Sequence, residues 1–459
     1  GYVPAPLSIF DGIYKLLPGH SIVICDGKLQ PSFPFWELEK VINKGILNPI
    51  TDENEALSSL ELSMQNSVSS HMVSDVPLGA FLSGGVDSSL VTSIMQSISS
   101  KPVNTFSIGF FEKGFNEAKH AAKVANHLGT SHTELYLTNR EAQDIVPNIS
   151  KMYDEPFADQ SQIPTFLVSS LARKHVKVVL SGDGGDELFA GYNRYLFVKK
   201  FWSILQNIPL PLRTIISSGL HGVKPNQWDK FFATIDPILP KSFKPALPSQ
   251  KIHKIASILP THSLLELHGR LSSQWTNPDN ILKPDFFCKD SLWLRNLKSI
   301  HGISDVEQQM YWDTQTYLVD DILTKVDRAS MRVGLEARVP LLDHELLELA
   351  WRIPLSMKLK NGESKWILKQ LLSKYIPNDL IDRPKMGFSV PIDDWLRSSL
   401  REWAENLLDR KRIEEEGYFS QNEVIRTWRA HQSGSINAGG PLWTLLMFQS
   451  WLDETKTWL

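Results

Sequence analysis

Apolar positions in the first half of the chain switch between two periods. Residues 53–70 place Ala56, Leu57, Leu60, Leu62 and Val68 at near-helical spacing behind Asp52, whose short carboxylate suits an N-cap. Residues 78–82 then form a short apolar run ending in a glycine loop, and 90–98 return to the helical period. The alternation continues with strand over 103–111, helix over 117–128, strand over 132–137, helix over 165–175 and strand over 176–180. Short buried strands alternating with helices predict an α/β fold built on a doubly wound parallel sheet. Such sheets bind ligands in the crevice beyond the carboxyl ends of their strands.

The flanks read differently. Residues 1–50 predict strands and turns, with a strand at 21–25 closed by the Asp26-Gly27 turn and an extended connector through Pro31, Pro34 and Trp36. That section predicts the end of a domain begun upstream. Beyond residue 195 the pattern is mostly helical. Pro209, Pro211, Pro237, Pro240, Pro245 and Pro248 punctuate 202–252, predicting short helices of a lid or insertion, and longer helices follow at 305–332 and 365–375. The expected organisation is therefore 1–50, then 51–459, the latter divided into an α/β core (51–195) and a helical remainder (196–459).

Composition narrows the class. With 42% hydrophobic and 22% charged residues in 459, the chain has the balance of a folded globular protein. A net charge of -3 gives no electrostatic case for a nucleic-acid partner. Cys25 and Cys288 have no CxxC spacing, which speaks against a zinc ribbon and fits a reducing compartment. Residues 442–451, the longest kind of apolar stretch present, fall short of the roughly 20 residues that span a bilayer. Pro4, Pro6 and Asp11 interrupt any signal-peptide core. The expectation is a cytoplasmic enzyme without membrane contact, with a homodimer as the default assembly on base rates.

Two loops carry the chemistry. Ser83-Gly84-Gly85-Val86-Asp87-Ser88-Ser89 follows a strand and opens a helix. Its glycines let the backbone approach an anion, and the first helical turn offers unpaired N–H groups to phosphate oxygens. No lysine completes a Walker motif. Asp87 would repel a phosphate unless it held a magnesium ion that bridges to it. Ser181-Gly182-Asp183-Gly184-Gly185-Asp186-Glu187 follows the strand at 176–180, and its crowded carboxylates call for a cation. A magnesium site made of Asp87, Asp183 and Asp186 follows.

The string SGGVDSS (83–89) resembles the pyrophosphate loop of N-type ATP pyrophosphatases. The second loop, continuing through Leu188-Phe189-Ala190-Gly191-Tyr192-Asn193-Arg194-Tyr195, resembles a signature of the asparagine synthetase family. Residues 105–110, 155–164, 327–331, 334–343, 365–371 and 383–388 resemble further motifs of that family in its order, covering roughly residues 52–452. The resemblance implies an adenine nucleotide alpha hydrolase-like core that converts a carboxylate, most simply aspartate, to an amide through an acyl-AMP. ATP and Mg2+ are the implied cofactors, with AMP and pyrophosphate released. Phe81, Leu82, Ser83, Gly84, Gly85, Asp87, Ser88, Ser89, Ile108, Ser181, Gly182 and Asp183 are then expected to contact the nucleotide. Lys385, in Arg383-Pro384-Lys385-Met386-Gly387-Phe388, is expected to stabilise charge at the α-phosphate. Glu336 is expected in proton handling or as a substrate contact, beside the alternative of an ion pair with Arg338. Arg328 and Lys325 are candidate carboxylate or phosphate contacts.

Full-length family members carry an amino-terminal glutaminase domain with a cysteine nucleophile at its start. Neither Cys25 nor Cys288 matches it, so a separate glutaminase domain or subunit is the implied partner and ammonia the implied nitrogen source. Three other readings stay open. They are an amidotransferase acting on another acid, such as a uronic acid of surface polysaccharide, an RNA-modifying ATP pyrophosphatase, and a non-enzymatic binding module. Asp183, where many dedicated asparagine synthetases have glutamate, supports the first of these.

Overall fold

The computed structural model describes residues 1–110, 117–223, 225–235, 248–286, 297–381 and 390–456. They form two compact units. One comprises Gly1–Leu196, Ser299–Pro391 and Ser450–Leu459, and the other Phe197–Lys298 and Ile392–Gln449. The expected helical remainder is thus divided between the units.

The first unit is built on a five-stranded sheet of β1 (Leu78–Phe81), β2 (Asn104–Phe110), β3 (Ser131–Leu137), β4 (Val178–Leu180) and β5 (Glu336–Arg338). Its order is β3-β2-β1-β4-β5 and every pairing is parallel. Chain order therefore runs outward from β1 on one side and then returns to its other side. That reversal, between β1 and β4, is the topological switch point where open α/β sheets hold ligands.

Helices α1 (Leu38–Leu47), α2 (Glu53–His71), α3 (Val86–Ile98), α4 (Ala118–Leu128) and α5 (Gln162–Arg173) belong to this unit. Asp52 caps α2 as its sequence predicts, accepting from the Glu55 N–H at 2.8 Å. In α3 the run Leu90, Val91, Ile94 and Met95 is fully buried, and β2 is buried along nearly its whole length. A central strand covered on both faces explains its unbroken apolar pattern. Shortening Ile94 to alanine should destabilise the unit by about 2–5 kcal/mol.

Two expectations need correction. The strand at 21–25 is two separate pieces: His20–Ser21 pairs with Phe33–Pro34, and Ile24–Cys25 with Lys28–Leu29 across the Asp26-Gly27 turn. Positive φ at both Asp26 and Gly27 suits the tight reversal, and Cys25 is exposed. The helix at 305–332 is also interrupted. It runs as α6 (Asp305–Gln315), a π-helical turn Tyr317–Leu323 and α7 (Thr324–Met331). The wider turn gives the residues after 316 a different facing, a device often found at functional sites.

The second unit is helical, with buried Trp395 and Trp443 in its core. Trp275 donates its indole N–H to Thr444 at 2.9 Å, tying its two sequence segments together. Among the described residues no helix is long and apolar enough to cross a membrane.

Candidate active site

A cavity of about 700 Å3 opens in the first unit at the switch point. The loop after β1 turns at Ser83, whose hydroxyl accepts from the Gly85 N–H at 3.2 Å and lies 3.0 Å from Ser88 Oγ. Gly85 is the N-cap of α3, so the positive end of that helix faces the cavity. The loop after β4 crosses it closely. A Cβ at Gly182 would lie 2.6 Å from the Ser88 nitrogen, and one at Gly185 would collide with the Asp87 carboxylate. Glycine is required here for close approach of the two loops.

The loops bring Asp87 and Asp186 to one point, and the ammonium of Lys365 occupies it. Lys365 Nζ lies 2.6 Å from Asp186 Oδ1 and is also bonded to Asp87 Oδ2. Burial alone would push the Lys365 pKa down, but the two carboxylates more than reverse this and hold it above the ordinary lysine value. Lys365 is the N-cap of α8 (Trp366–Leu372) with a left-handed φ of 55°. A lysine at a helix N-terminus opposes the macrodipole, and left-handed backbone is unfavourable for it. Both disadvantages are offset by the ion pairs.

A second buried lysine closes the other side. Lys325 Nζ is 2.7 Å from both Asp159 Oδ2 and Ser161 Oγ. Burial raises the Asp159 pKa, yet the Lys325 charge and hydrogen bond outweigh it and hold that carboxyl below its usual range. Asp321 on the π-helical turn is instead pushed well up, by burial and then by Asp159. Glu187 accepts from Tyr192 Oη at 2.6 Å, and burial with the Asp186 charge brings its pKa up to about 7. Arg194 stacks 4.1 Å from the Tyr192 ring centroid and pairs with buried Asp313 at 2.8 Å, fixing the segment after the loop.

Of the residues singled out from sequence, Phe81, Leu82, Ser83, Gly85, Asp87, Ser88, Ile108, Ser181, Gly182, Asp183, Asp186 and Lys325 line the cavity. Gly84 and Ser89 are not part of its wall. A Cβ on Gly84 would point at the start of α4, 2.8 Å from the Ala121 nitrogen, and Ser89 is buried in α3. Glu336 is exposed on β5 with its carboxylate 2.7 Å from Arg338 Nε, the ion-pair alternative. Arg328 is half-exposed and pairs with Asp154 at 2.8 Å. Lys385 lies outside the described residues, as do Cys288 and Phe111.

Asp87, Asp183 and Asp186 do not make a metal cage by themselves; among the described residues no three such groups are disposed to hold an ion. Lys365 stands between the first and last of them. Desolvation raises the pKa of the partly buried Asp183, and its main compensating charge is Lys325. Sequence reasoning missed Lys365 as a site residue. The signal for it was a lysine directly before a helical period, where an acidic or neutral cap is the usual choice.

Comparison with known proteins agrees with this geometry. Residues 59–453 match the family model described as asparagine synthase. The chain belongs to the asparagine synthase family. It is 30% identical, over 98% of its own length, to "Asparagine synthetase [glutamine-hydrolyzing] 1" of Bacillus subtilis (strain 168), and covers 66% of that protein. "Asparagine synthetase [glutamine-hydrolyzing] 3" of the same organism is 25% identical over 89% of the chain, which covers 61% of it. A fungal member, "Amidase chyE" of Penicillium rubens, is 23% identical over 90% of the chain, which covers 64% of it. The chain thus spans less than two thirds of the length of each of these relatives. Family membership accounts for the two glycine loops and for the parallel sheet that brings them together.

Proposed function

We propose that this cavity activates a carboxylate with ATP as an acyl-AMP, releasing pyrophosphate, and that ammonia then displaces AMP to give an amide. The observation that carries the proposal is Lys365 held between the two phosphate-type loops by Asp87 and Asp186. The N-terminus of α3 and the Ser83 and Ser88 hydroxyls bind the pyrophosphate end. Phe81, Leu82, Ile108 and Gly182 face the adenosine. Lys365 is our choice, ahead of Lys385, for the cation that stabilises charge developing on the α-phosphate and on the tetrahedral intermediate.

Two converging carboxylates suit magnesium, which prefers one or two of them completed by phosphate oxygens. Asp87 and Asp186 would hold it, and the ion would supply neutralisation of the pyrophosphate charge. The protein's own part is positioning and exclusion of water.

Aspartate is the proposed substrate, and the acidic residues of the wall support it. Asp159, Asp183 and Glu187 are among the acidic residues that line the cavity. A substrate with an ammonium group beside its carboxylate answers that charge, whereas a uronic acid does not. Glu187, a buried carboxylate in the cavity wall that accepts from Tyr192 Oη, is proposed to take a proton from the attacking nitrogen. Nitrogen is proposed to arrive as ammonia from a glutaminase domain or subunit, of which residues 1–50 are proposed as the adjoining end.

The test is incubation with ATP, magnesium, ammonium and L-aspartate, with AMP, pyrophosphate and asparagine quantified together. Equal yields support aspartate amidation through an adenylate. Aspartate-independent release, with turnover restored by glucuronate, moves the substrate to another acid. ADP and phosphate in place of AMP and pyrophosphate would overturn the mechanism.

A further inference from the structure

The helix Leu210–Gly222 of the second unit carries its polar and apolar sides in reverse. Its inner stripe is polar. Arg213 is buried and donates to the carbonyls of Leu259 and Thr261 at 3.2 and 2.7 Å. Ser217, one turn on, is also buried and donates to the Ala256 carbonyl at 2.7 Å. The outer stripe is apolar. Leu212, Ile215 and Ile216, spaced by three and four residues, are 49%, 69% and 40% exposed. Arg213 is the only Lys, Arg, Asp or Glu of this helix, so no such charge stands on its outer side. A surface helix ordinarily turns its apolar side inward. Single exposed apolar residues need no account, but a contiguous stripe marks a contact surface.

The surroundings of the stripe are basic. The helix Pro248–Ile258, which packs against it, shows Lys251, Lys254 and Ile255 to solvent at the same spacing. The helix Pro225–Ile235 packs on that one in turn and adds exposed Lys230 and Phe231. Residues 197–262 contain nine Lys and Arg but only two acids, Asp229 and Asp236, in a chain whose formal net charge is -3. Positive charge is therefore concentrated in the segment that exposes the apolar stripe.

We infer that this face rests on an anionic lipid bilayer, its apolar side chains entering the interface and its lysines pairing with the headgroups. The apolar area supplies insertion, and the lysines select negatively charged lipid. Such contact lies in the plane of the interface and needs no spanning helix. The expectation of no membrane contact, drawn from the length of apolar runs, does not bear on it. A twofold contact between copies of the chain would set lysine against lysine, so a surface of opposite sign is the better complement. The inference is independent of the reaction proposed for the cavity.

Flotation of the full chain with phosphatidylcholine vesicles, with and without phosphatidylglycerol, tests it. The wild type should bind the anionic vesicles, bind the neutral ones at least about tenfold more weakly, and be released by high salt. Ile215→Asp combined with Ile216→Asp should weaken binding to anionic vesicles by about tenfold or more, and Lys251→Glu combined with Lys254→Glu should do the same. All four side chains face solvent, so circular dichroism and thermal unfolding should be unchanged, and either variant decides alone if the other fails to fold. A wild type that ignores anionic vesicles, or binding unchanged in a folded variant, would overturn the inference. A wild-type dimer that binds no vesicles and is split by Ile215→Asp with Ile216→Asp would overturn it in favour of a second copy of the chain.

Discussion

Two buried lysines in neighbouring parts of the first unit answer burial in opposite ways. Lys365, in the cavity, stands between Asp87 and Asp186 and is held above the ordinary lysine pKa. Lys358, on the preceding short helix Leu355–Lys358, is only 1% exposed and sits over aromatic rings. Its ammonium is 5.1 Å from the Trp351 ring centroid and 5.9 Å from that of Phe189, and Glu307 supplies a weaker opposing field. Burial there brings the pKa down to about 8. Desolvation penalises both charges; only paired carboxylates reverse the sign. A buried cation between carboxylates can act on phosphates at any working pH, whereas one over rings is a packing element whose charge is tolerated.

Substitutions at these positions should separate the two kinds of lysine. The largest effect is expected for Lys365→Ala. It should lower pyrophosphate release in the proposed reaction by about a thousandfold, as expected for a lost charge-stabilising group. It should also lower stability by about 3–5 kcal/mol, since Asp87 and Asp186 are left facing one another. Retained pyrophosphate release would break the assignment of Lys365 as the acting cation.

Next comes Lys325→Met, which strands Asp159 and should destabilise by about 3 kcal/mol at pH 7 in urea unfolding. The pH dependence has a definite sign. Asp159 is depressed in the folded wild type, so its contribution is present above the unfolded carboxylate value of about 4 and is lost as pH falls toward the folded value. In the variant, burial is unopposed and a protonated Asp159 is tolerated. The stability gap to wild type should therefore narrow below about pH 4.

Lys358→Met should be neutral or stabilising, by up to about 2 kcal/mol at pH 7. Its folded pKa of about 8 lies below the ordinary lysine value of 10.5, so the unfolded wild-type chain binds the extra proton between those values. Wild-type stability should rise across that window and the variant should lack the rise. A strongly destabilised Lys358→Met would show that the cation over the rings is worth more than its desolvation. The smallest effect belongs to Glu336→Ala. Loss of an exposed ion pair should change stability by no more than about 0.5 kcal/mol and leave turnover intact.

Much of the fold was legible because it depends on local periods. The helix at 53–71, the strands after 78, 104 and 131, and both glycine loops follow from spacing that each segment carries within itself. The misreadings fell where partners decided. Residues 21–25 look like one strand until each half finds a different ladder. The pattern at 305–332 looks like one helix until Thr316, with ψ of -74°, breaks the regular turn and shifts the facing of Tyr317 and Lys325. The carboxylates of the site were visible as sequence clusters because their crowding is itself unusual. Lys365, marked only by its place before a helical period, and Lys358, with no mark at all, were not, since burial of a lysine is decided by partners in space.

The sequence by itself determined the composition of the site: glycines that let two loops approach closely, and a dense set of carboxylates beside them. Only the tertiary structure decided which side-chain cation stands between them. Asp87 and Lys365 are 278 residues apart, and nothing in either segment names the other. Charges removed from water must find partners in space, and those partners are fixed by strand order and loop closure rather than by neighbours along the chain.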